Sequence, residues 1–242
     1  MEPTRLVPVP ASEAFLIEAG NLGIEFDAGD VETFGLYLAH LLETNKLFNL
    51  TRITDVADAW MRHIFDSLTL LPILAAVGAE SLCDVGSGGG APGMPLAIAL
   101  PQLQVTLLEA TGKKAKFCAD TAEALGLANV VVINERAETV GQDHHGHREQ
   151  FDAVCARALG KINVAAELTA PLARVGGLVL LIKGEQAEAD LAEAERALEK
   201  LGLAHSETID TPTGRIVVLE KERRTPRLYP RRPGEPKRAP LR

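Results

Sequence analysis

The chain contains 242 residues, of which 46% are hydrophobic and 24% are charged. This composition is typical of a globular protein and excludes a collagen-like, coiled-coil or wholly disordered chain. The formal net charge is −8, yet residues 221–242 carry nine basic and two acidic side chains. A basic, proline-rich tail on an acidic body predicts either contact with a phosphate backbone or a solvated extension without a partner.

The apolar runs fall well short of the roughly 20 residues that a membrane-spanning helix needs, so no transmembrane helix is predicted. Residues 1–5 lack the cationic start and apolar run of a secretory signal. Cys83, Cys118 and Cys155 are odd in number and widely spaced, which is typical of reduced thiols. We therefore expect a cytoplasmic protein. The absence of an obvious dimerisation helix favours a monomer.

Helices are predicted first along the chain. Residues 1–11 contain three prolines and predict an extended lead-in. Apolar residues then recur at the period of an amphipathic helix. Ser12 and Asp55 are the predicted N-caps, and Pro72 ends or interrupts the last helix. We expect an N-terminal helical cap over residues 1–79.

Strands and helices alternate from residue 80 onward, which is typical of a parallel sheet with helices on both faces. Only Thr211–Thr213 separates the last two strands, so a hairpin should place one antiparallel strand in the sheet. The prediction is an α/β domain over residues 80–221, with a seven-stranded, mostly parallel sheet, followed by a basic, proline-rich tail over residues 222–242. The predicted strands are Ser81–Val85, Gln104–Glu109, Val130–Asn134, Phe151–Ala156, Leu178–Lys183, His205–Asp210 and Gly214–Glu220. The predicted helices after the cap are Met94–Leu100, Lys113–Leu125, Ile162–Leu172 and Gln186–Leu201.

A glycine-rich turn follows the first predicted strand, where Asp84, Gly86, Gly88 and Gly90 form an Asp-x-Gly-x-Gly-x-Gly pattern. Glycines at such a turn let the backbone approach a ligand closely. Ligands of open α/β sheets bind outside the carboxyl ends of the strands. Gly93 is followed by methionine, not by the lysine of a P-loop, which disfavours that kind of phosphate site. The turn predicts a cofactor site.

The nature of the cofactor follows from the acids near this turn. Gly88, Gly90 and Gly93 also fit a dinucleotide fingerprint, and Glu109 could accept the ribose hydroxyls of any adenosine cofactor. Asp84 beside the loop favours a cofactor with cationic groups, such as S-adenosylmethionine, over the pyrophosphate of NAD. Three hypotheses remain open here: an RNA methyltransferase, an NAD(P)-dependent oxidoreductase, and a non-enzymatic RNA-binding assembly factor.

Beyond these features, the chain resembles the ribosomal RNA small-subunit methyltransferase G family, also called glucose-inhibited division protein B. The resemblance runs in order from about Asn45 to Arg242. The segments that carry it are Asn49–Thr51, Arg62–Leu68, Asp84–Gly88, Pro92–Ile98, Lys113–Lys114 with Phe117, Arg136–Glu138, Ala156–Ala158, Lys183–Gly184, Tyr229–Arg231, Pro233–Gly234 and Pro236–Lys237.

This resemblance implies a Rossmann-like class I methyltransferase that uses S-adenosylmethionine and releases S-adenosylhomocysteine. It also implies that the substrate is N7 of a single guanosine, conventionally numbered 527, in the 16S RNA of the small ribosomal subunit. Ala91 stands where many members have a larger apolar residue, so backbone contact is what we expect there. The implied cofactor contacts, to which the sequence pattern adds Asp84 and Gly88, are Gly86, Ala91, Glu109, Ala110, Thr111, Ala137, Glu138 and Arg157.

Guanine N7 carries a free lone pair, so direct in-line transfer needs neither a general base nor a covalent intermediate. No catalytic side chain is therefore assigned. His63 either contacts RNA or orients the cap, and Arg157 either contacts the ligands or pairs with an acid. The histidine-rich segment 143–147 predicts a solvated loop and no metal site. The candidate RNA-binding residues are Asn49, Arg62, Lys113, Lys114, Arg136, Lys183, Arg215, Arg231 and Lys237.

Overall fold

The structure is a computed structural model that describes residues 6–242. The first part of the predicted lead-in and the segment searched for a secretory signal lie outside the described residues. Residues 6–11 form neither helix nor strand, as expected for a proline-containing lead-in. Among the helices of residues 6–242, none is both long enough and apolar enough to span a membrane.

One seven-stranded sheet organises the fold. Its strands are β1 (Ser81–Val85), β2 (Gln104–Leu108), β3 (Val130–Ile133), β4 (Phe151–Arg157), β5 (Ala173–Lys183), β6 (Leu203–Thr211) and β7 (Gly214–Lys221). They are arranged in the order β3-β2-β1-β4-β5-β7-β6. Strands β1 to β5 pair in parallel, whereas β7 runs antiparallel to both β5 and β6. The predicted α/β fold class, with one antiparallel strand, is confirmed.

Helices precede the sheet and then alternate with its strands. Ser12 and Asp55 cap helices as predicted, since their side chains accept hydrogen bonds from the backbone N–H groups of Phe15 and Asp58. Pro72 lies in the first turn of a new helix, so the chain breaks just before it. The helices are α1 (Glu13–Asn21), α2 (Asp30–Asn45), α3 (Val56–Ala59), a π-helix (Trp60–Phe65), α4 (Asp66–Leu68), α5 (Leu71–Ala76), α6 (Gly93–Ala99), α7 (Gly112–Ala124), α8 (Ala137–Gly141), α9 (Ile162–Thr169), α10 (Ala187–Leu201) and α11 (Glu235–Arg238).

The sheet separates two hydrophobic cores. Successive residues of a strand face opposite sides, so Leu82 joins the first core and Cys83 the second. The helices before β1 belong to the first core, where the rings of Phe15 and Trp60 lie 4.7 Å apart. Helices α9 and α10 pack in the second core. The N-terminal helices are therefore a packed layer on one sheet face, and they bring the π-helix to the end of β4.

The tail packs against the body of the protein, so the interpretation of a solvated extension is wrong for this segment. The buried guanidinium of Arg148 donates to the carbonyls of Gly141, Thr225 and Tyr229 at 2.5, 2.7 and 2.8 Å. Further along, Leu241 is buried in the second core. These contacts hold the tail beside α8 and α9.

Candidate cofactor and RNA site

The Gly86–Gly90 loop joins β1 to α6 at the carboxyl edge, which is the edge of the sheet where β1 to β5 end. The N–H of Gly86 donates to the carbonyl of Leu108 at 2.8 Å and ties the loop to β2. Gly86 has a φ of +72°, and a Cβ there would lie 2.8 Å from Leu159 Cδ1. Both the backbone conformation and the neighbouring side chain disfavour a larger residue. The loop therefore presents backbone at the carboxyl edge.

The carboxylate of Glu109, at the end of β2, fixes the shape of this loop. Its Oε2 accepts from the N–H of Gly88 at 2.9 Å, and its Oε1 accepts from the N–H of Thr111 at 2.7 Å. The residue is only 7% exposed. Each carboxylate oxygen has a second lone pair, so Glu109 can still accept a ligand hydroxyl. Glu109 thus supports the glycine loop whether or not it also contacts a ligand.

Asp84 is fully buried at the end of β1. Its Oδ2 accepts from the N–H of Gly93 at 2.9 Å, whereas its buried Oδ1 has no hydrogen-bond partner within residues 6–242. Burial raises the pKa of Asp84 to about 7, because desolvation outweighs the Gly93 hydrogen bond and the positive charge of Arg157. A buried oxygen without a donor is costly. Oδ1 is therefore a candidate acceptor for a cationic or N–H group of a ligand.

Arg157, the last residue of β4, reaches back to the π-helix. Its Nη2 lies 3.0 Å from Nδ1 of His63, and its Nη1 donates to the carbonyl of Arg62. The same Nη1 lies 3.9 Å from Oδ2 of Asp66. The structure shows the ion pair that the sequence left as one alternative. The side chain of Arg157 keeps 20% exposure, which leaves part of it accessible to a ligand.

The remaining predicted cofactor residues lie on the loops after β1 and β2 and at the start of α8, which follows β3. In α8, Glu138 is buried and its Oε1 accepts from the N–H of Gly234 in the tail at 2.7 Å. The structure thus brings the loops after four strands to one edge and places the tail beside them. The residues concerned are Ala91, Ala110, Thr111, Ala137 and Glu138.

Three predicted RNA-binding cations line a cleft of about 920 Å³ between the π-helix and the β6–β7 hairpin: Arg62, Lys183 and Arg215. Lys183 Nζ lies 2.8 Å from Asp190, and Arg215 Nε lies 2.8 Å from Asp210. Arg62 donates to a backbone carbonyl of the hairpin. Positive charge in this cleft is therefore largely balanced by protein groups.

Arg231 anchors the tail. Its backbone N, Nε and Nη2 lie 2.9, 2.8 and 2.6 Å from the carboxylate oxygens of Glu167, a residue with no exposed surface. The side chain of Arg231 is only 15% exposed. Most of its hydrogen-bonding capacity is therefore used within the protein.

Other predicted RNA-binding residues are available at the surface. Lys113, Arg136 and Lys237 are exposed and Lys114 is half-buried, and none of them has a salt-bridge partner within the described range 6–242. Asn49 is also exposed, on the loop after α2. Lys113 and Lys114 begin α7 and Arg136 precedes α8, so these cations follow β2 and β3 at the carboxyl edge.

None of the cysteines is arranged as a nucleophile. All three are buried, and burial raises the pKa of Cys118 to about 12 and those of Cys83 and Cys155 well above the usual range. In the described part of the chain, no group of three or more His, Cys, Asp or Glu side chains comes together as a possible metal site.

Comparison with known proteins places this geometry in a family. The family model described as rRNA small subunit methyltransferase G matches residues 30–216. The chain belongs to this family. A ribosomal RNA small subunit methyltransferase G from Sorangium cellulosum is 48% identical over 227 residues, which cover 93% of this chain and 94% of the relative. One from Leuconostoc citreum is 42% identical, with coverages of 95% and 98%.

A solved structure supports the fold independently. The O-methyltransferase from Bacillus cereus in complex with SAH matches with a TM-score of 0.60 and 19% sequence identity, covering 85% of this chain and 97% of that chain. Membership in the methyltransferase G family decides against the oxidoreductase hypothesis and against a purely non-enzymatic assembly factor.

Two contacts at the carboxyl edge were not anticipated from the sequence. The hydroxyl of the buried Tyr37, on α2, donates to the carbonyl of Gly89 at 2.8 Å. The Oγ1 of Thr51 lies 3.1 Å from Nε2 of His63. Tyr37 follows the apolar period of its helix and so has the pattern of a core residue. Thr51 and His63 lie within segments that carry the family resemblance, which is the one available signal.

Proposed function

We propose that this chain transfers a methyl group from S-adenosylmethionine to N7 of guanosine 527 in 16S ribosomal RNA. Family membership supports the reaction class, since the relatives are named as small-subunit rRNA methyltransferases. The ordered motif resemblance supports the nucleotide and the ring atom. We propose residues 80–221 as the cofactor-binding unit, residues 1–79 as a cap and residues 222–242 as an RNA-facing tail.

The observation that carries the proposal is the backbone loop held by two buried carboxylates. Glu109 fixes Gly88 from one side, and Asp84 fixes Gly93 while keeping Oδ1 unpartnered. A Cβ at Gly88 would meet only a carbonyl at 3.8 Å, so there is space beside the loop. S-adenosylmethionine, which carries an ammonium group, suits a loop flanked by two buried carboxylates better than an anionic diphosphate does. When bound, it supplies a methyl group made electrophilic by the sulfonium.

The residues of the chain contribute orientation to this reaction. Glu109 and Tyr37 hold the glycine loop, and Arg157 is held by the π-helix. Alignment of reacting groups can lower a barrier by about 7–11 kcal/mol. Guanine N7 needs no deprotonation before attack, so no general base is required. The buried, protonated thiols are consistent with direct transfer. The methylated base is cationic, and the carboxylates at this edge favour that charge.

RNA binding is proposed for the exposed cations that surround the carboxyl edge. Lys113, Lys114 and Arg136 lie after β2 and β3, and Gly234 places the tail beside the same loop through Glu138. Arg232 and Lys237 extend this surface, whereas Arg231 is committed to Glu167. The cations can therefore be divided into those that hold the tail and those that face outward.

The first experiment measures transfer of a radiolabelled methyl group to small ribosomal subunits that lack the modification, with the product mapped at base resolution. Label at N7 of the single expected guanosine supports the whole proposal. Label at another base refutes the assigned substrate. No transfer to subunits, naked RNA or assembly intermediates, despite confirmed cofactor binding, refutes the reaction.

A second experiment tests the cofactor crevice. Glu109→Gln keeps an acceptor for one of the two backbone N–H groups and places an amide N–H₂ against the other, which then has no acceptor. We expect S-adenosylhomocysteine to bind at least about tenfold more weakly by calorimetry, equivalent to about 1.4 kcal/mol. Glu123→Gln changes an exposed residue of α7 and is the matched control. Equal affinity of the two variants would contradict the role of Glu109.

A third experiment separates the two kinds of tail cation. Arg232→Ala or Lys237→Ala should weaken RNA binding and reduce the slope of log K against log salt by about 0.7–0.9 per lost phosphate contact. Arg231→Ala should mainly lower stability, because it leaves Glu167 buried and unpaired. If the salt slope is unchanged in the Arg232→Ala, Lys237→Ala double variant, these tail residues do not contact RNA phosphates.

A further inference from the structure

His63 is a buried polar residue of the π-helix. The residue is only 5% exposed, and each ring nitrogen has one polar neighbour. Nδ1 lies 3.0 Å from Nη2 of Arg157, and Nε2 lies 3.1 Å from Oγ1 of Thr51. Through these contacts the ring links the loop after α2 to the end of β4.

The chemistry of the two partners decides which nitrogen carries the proton. An arginine guanidinium can only donate hydrogen bonds, so Nδ1 of His63 must accept and be unprotonated. The proton of the neutral ring is then on Nε2 and is donated to Thr51 Oγ1, which also accepts from the N–H of Ile53 at 3.1 Å. Burial and the positive charge of Arg157 lower the pKa of His63 to about 3, which keeps the ring neutral.

The guanidinium of Arg157 has one hydrogen bond besides the contact with this ring. Nη1 donates to the backbone carbonyl of Arg62, and Asp66 stays 3.9 Å away, beyond hydrogen-bond distance. Ala158, which follows Arg157, has a φ of +56°, a conformation that non-glycine residues rarely adopt. The chain is thus turned sharply just after Arg157. Backbone strain of this kind is often concentrated at functional sites.

We propose that His63 is a positioning residue whose neutral ring accepts a hydrogen bond from Arg157 and so fixes the guanidinium at the carboxyl edge for methyl transfer. The inference rests on the proposed function. His63 neither acts as a base nor touches the target base. Its effect on transfer passes through Arg157, and Thr51 fixes the ring orientation.

The hydrogen bond can be tested without catalysis. Nitrogen-15 NMR of the histidine rings, with the His63 signal assigned from its loss in His63→Asn, reports which ring nitrogen is protonated. We expect the Nε2–H form for His63 and a change in the Nδ1 signal in Arg157→Met, with no change for the exposed His205. The proposal is overturned if Nδ1 carries the proton, or if the Nδ1 signal is the same in wild type and in Arg157→Met.

A double-mutant cycle then tests positioning in the reaction. His63→Phe removes the acceptor, and we expect kcat/KM for subunit methylation to fall about tenfold or more, with a smaller effect on KM than on kcat. His63→Asn offers an amide oxygen near the place of Nδ1 and should recover most of this loss. In the Arg157→Met background, His63→Phe should lower kcat/KM by less than about threefold, because the guanidinium that His63 positions is already absent.

The controls separate the possible failures. Thermal unfolding and S-adenosylhomocysteine binding are measured for every variant, and His205→Asn is the matched histidine control. An equal fold-loss from His63→Phe in both backgrounds means that His63 is merely structural and overturns the proposal. If the wild type transfers no methyl group, the proposed function fails, and the NMR result alone decides whether His63 positions Arg157.

Discussion

Replacement of Asp84 by asparagine should change how stability depends on pH. The wild-type carboxyl is fully buried and its pKa is raised to about 7, against about 3.9 in an unfolded chain. Between these values the folded state binds more protons than the unfolded state, so wild-type stability decreases as pH rises. This contribution is fully present below pH 3.9 and is lost as the pH passes through 7. Asparagine has no such titration.

The size of the effect follows from the two pKa values. For a folded pKa of about 7, linkage gives a loss of about 2.6 kcal/mol of unfolding free energy between pH 5 and pH 8. The stability of Asp84→Asn relative to wild type should therefore increase by about 2–3 kcal/mol over this range. The stability difference at any single pH also includes the altered hydrogen bond to Gly93. That contribution does not depend on pH.

Urea unfolding at several pH values, followed by circular dichroism, measures this difference. Asp120→Asn, on the exposed face of α7, is the matched control and should give a nearly flat difference. A flat or opposite trend for Asp84→Asn would mean that the folded wild-type carboxyl does not titrate near pH 7, and the reasoning from a pKa of about 7 would be refuted.

The other predictions concern buried charges elsewhere. Arg231→Ala should lower the unfolding free energy by about 3 kcal/mol because Glu167 loses its partner, whereas Arg232→Ala should stay within about 0.5 kcal/mol; chemical denaturation compares them. Lys221 is fully buried and its pKa is lowered to about 8, so the unfolded state binds more protons above that pH. The stability of wild type relative to Lys221→Met should increase by about 2 kcal/mol between pH 7 and 10, measured by denaturation at each pH. The pKa of about 3 for His63 predicts pH–rate profiles of the same shape between pH 5.5 and 8 for wild type and His63→Asn.

The sheet could be predicted because its signals are local. Each central strand is a short apolar run that ends at a polar or glycine residue, and the three residues between the last two predicted strands, Thr211–Thr213, leave room only for a hairpin. The start of β5 was not predicted, since Arg174 to Gly176 are exposed and β5 is irregularly paired with β4 before Leu178. This exposed segment of one arginine, one valine and one glycine gives no apolar pattern to recognise.

The candidate site was predictable only where its residues are close in sequence. Asp84 and the glycines form one motif, and Glu109 follows at the end of the next strand. In contrast, Tyr37 contacts Gly89 across 52 positions, and His63 contacts Arg157 across 94. The periodicity of the local sequence does not indicate contacts between residues so far apart in the chain. The family resemblance marked several of these segments without saying which residues touch.

The tail shows why composition alone is an uncertain guide to order. Prolines and basic residues predict weak burial and an extended chain. Order comes instead from groups far along the sequence, since Arg148 donates to three main-chain carbonyls of residues 225–229 and Glu167 binds Arg231. Charged hydrogen bonds to a buried partner can hold a segment that has little apolar surface of its own.

The fold of this chain is similar to that of an O-methyltransferase. Under the proposed function, we therefore expect specificity for one RNA nucleotide to come from segments outside the sheet. The structure attaches those segments to the loops that would bind the cofactor: Tyr37 holds Gly89, His63 holds Arg157, and Gly234 contacts Glu138. A cap and a tail fixed in this way would present their RNA-facing residues in a constant position relative to the methyl group. It follows that substitutions in the cap or tail can reduce transfer while leaving every cofactor contact in place.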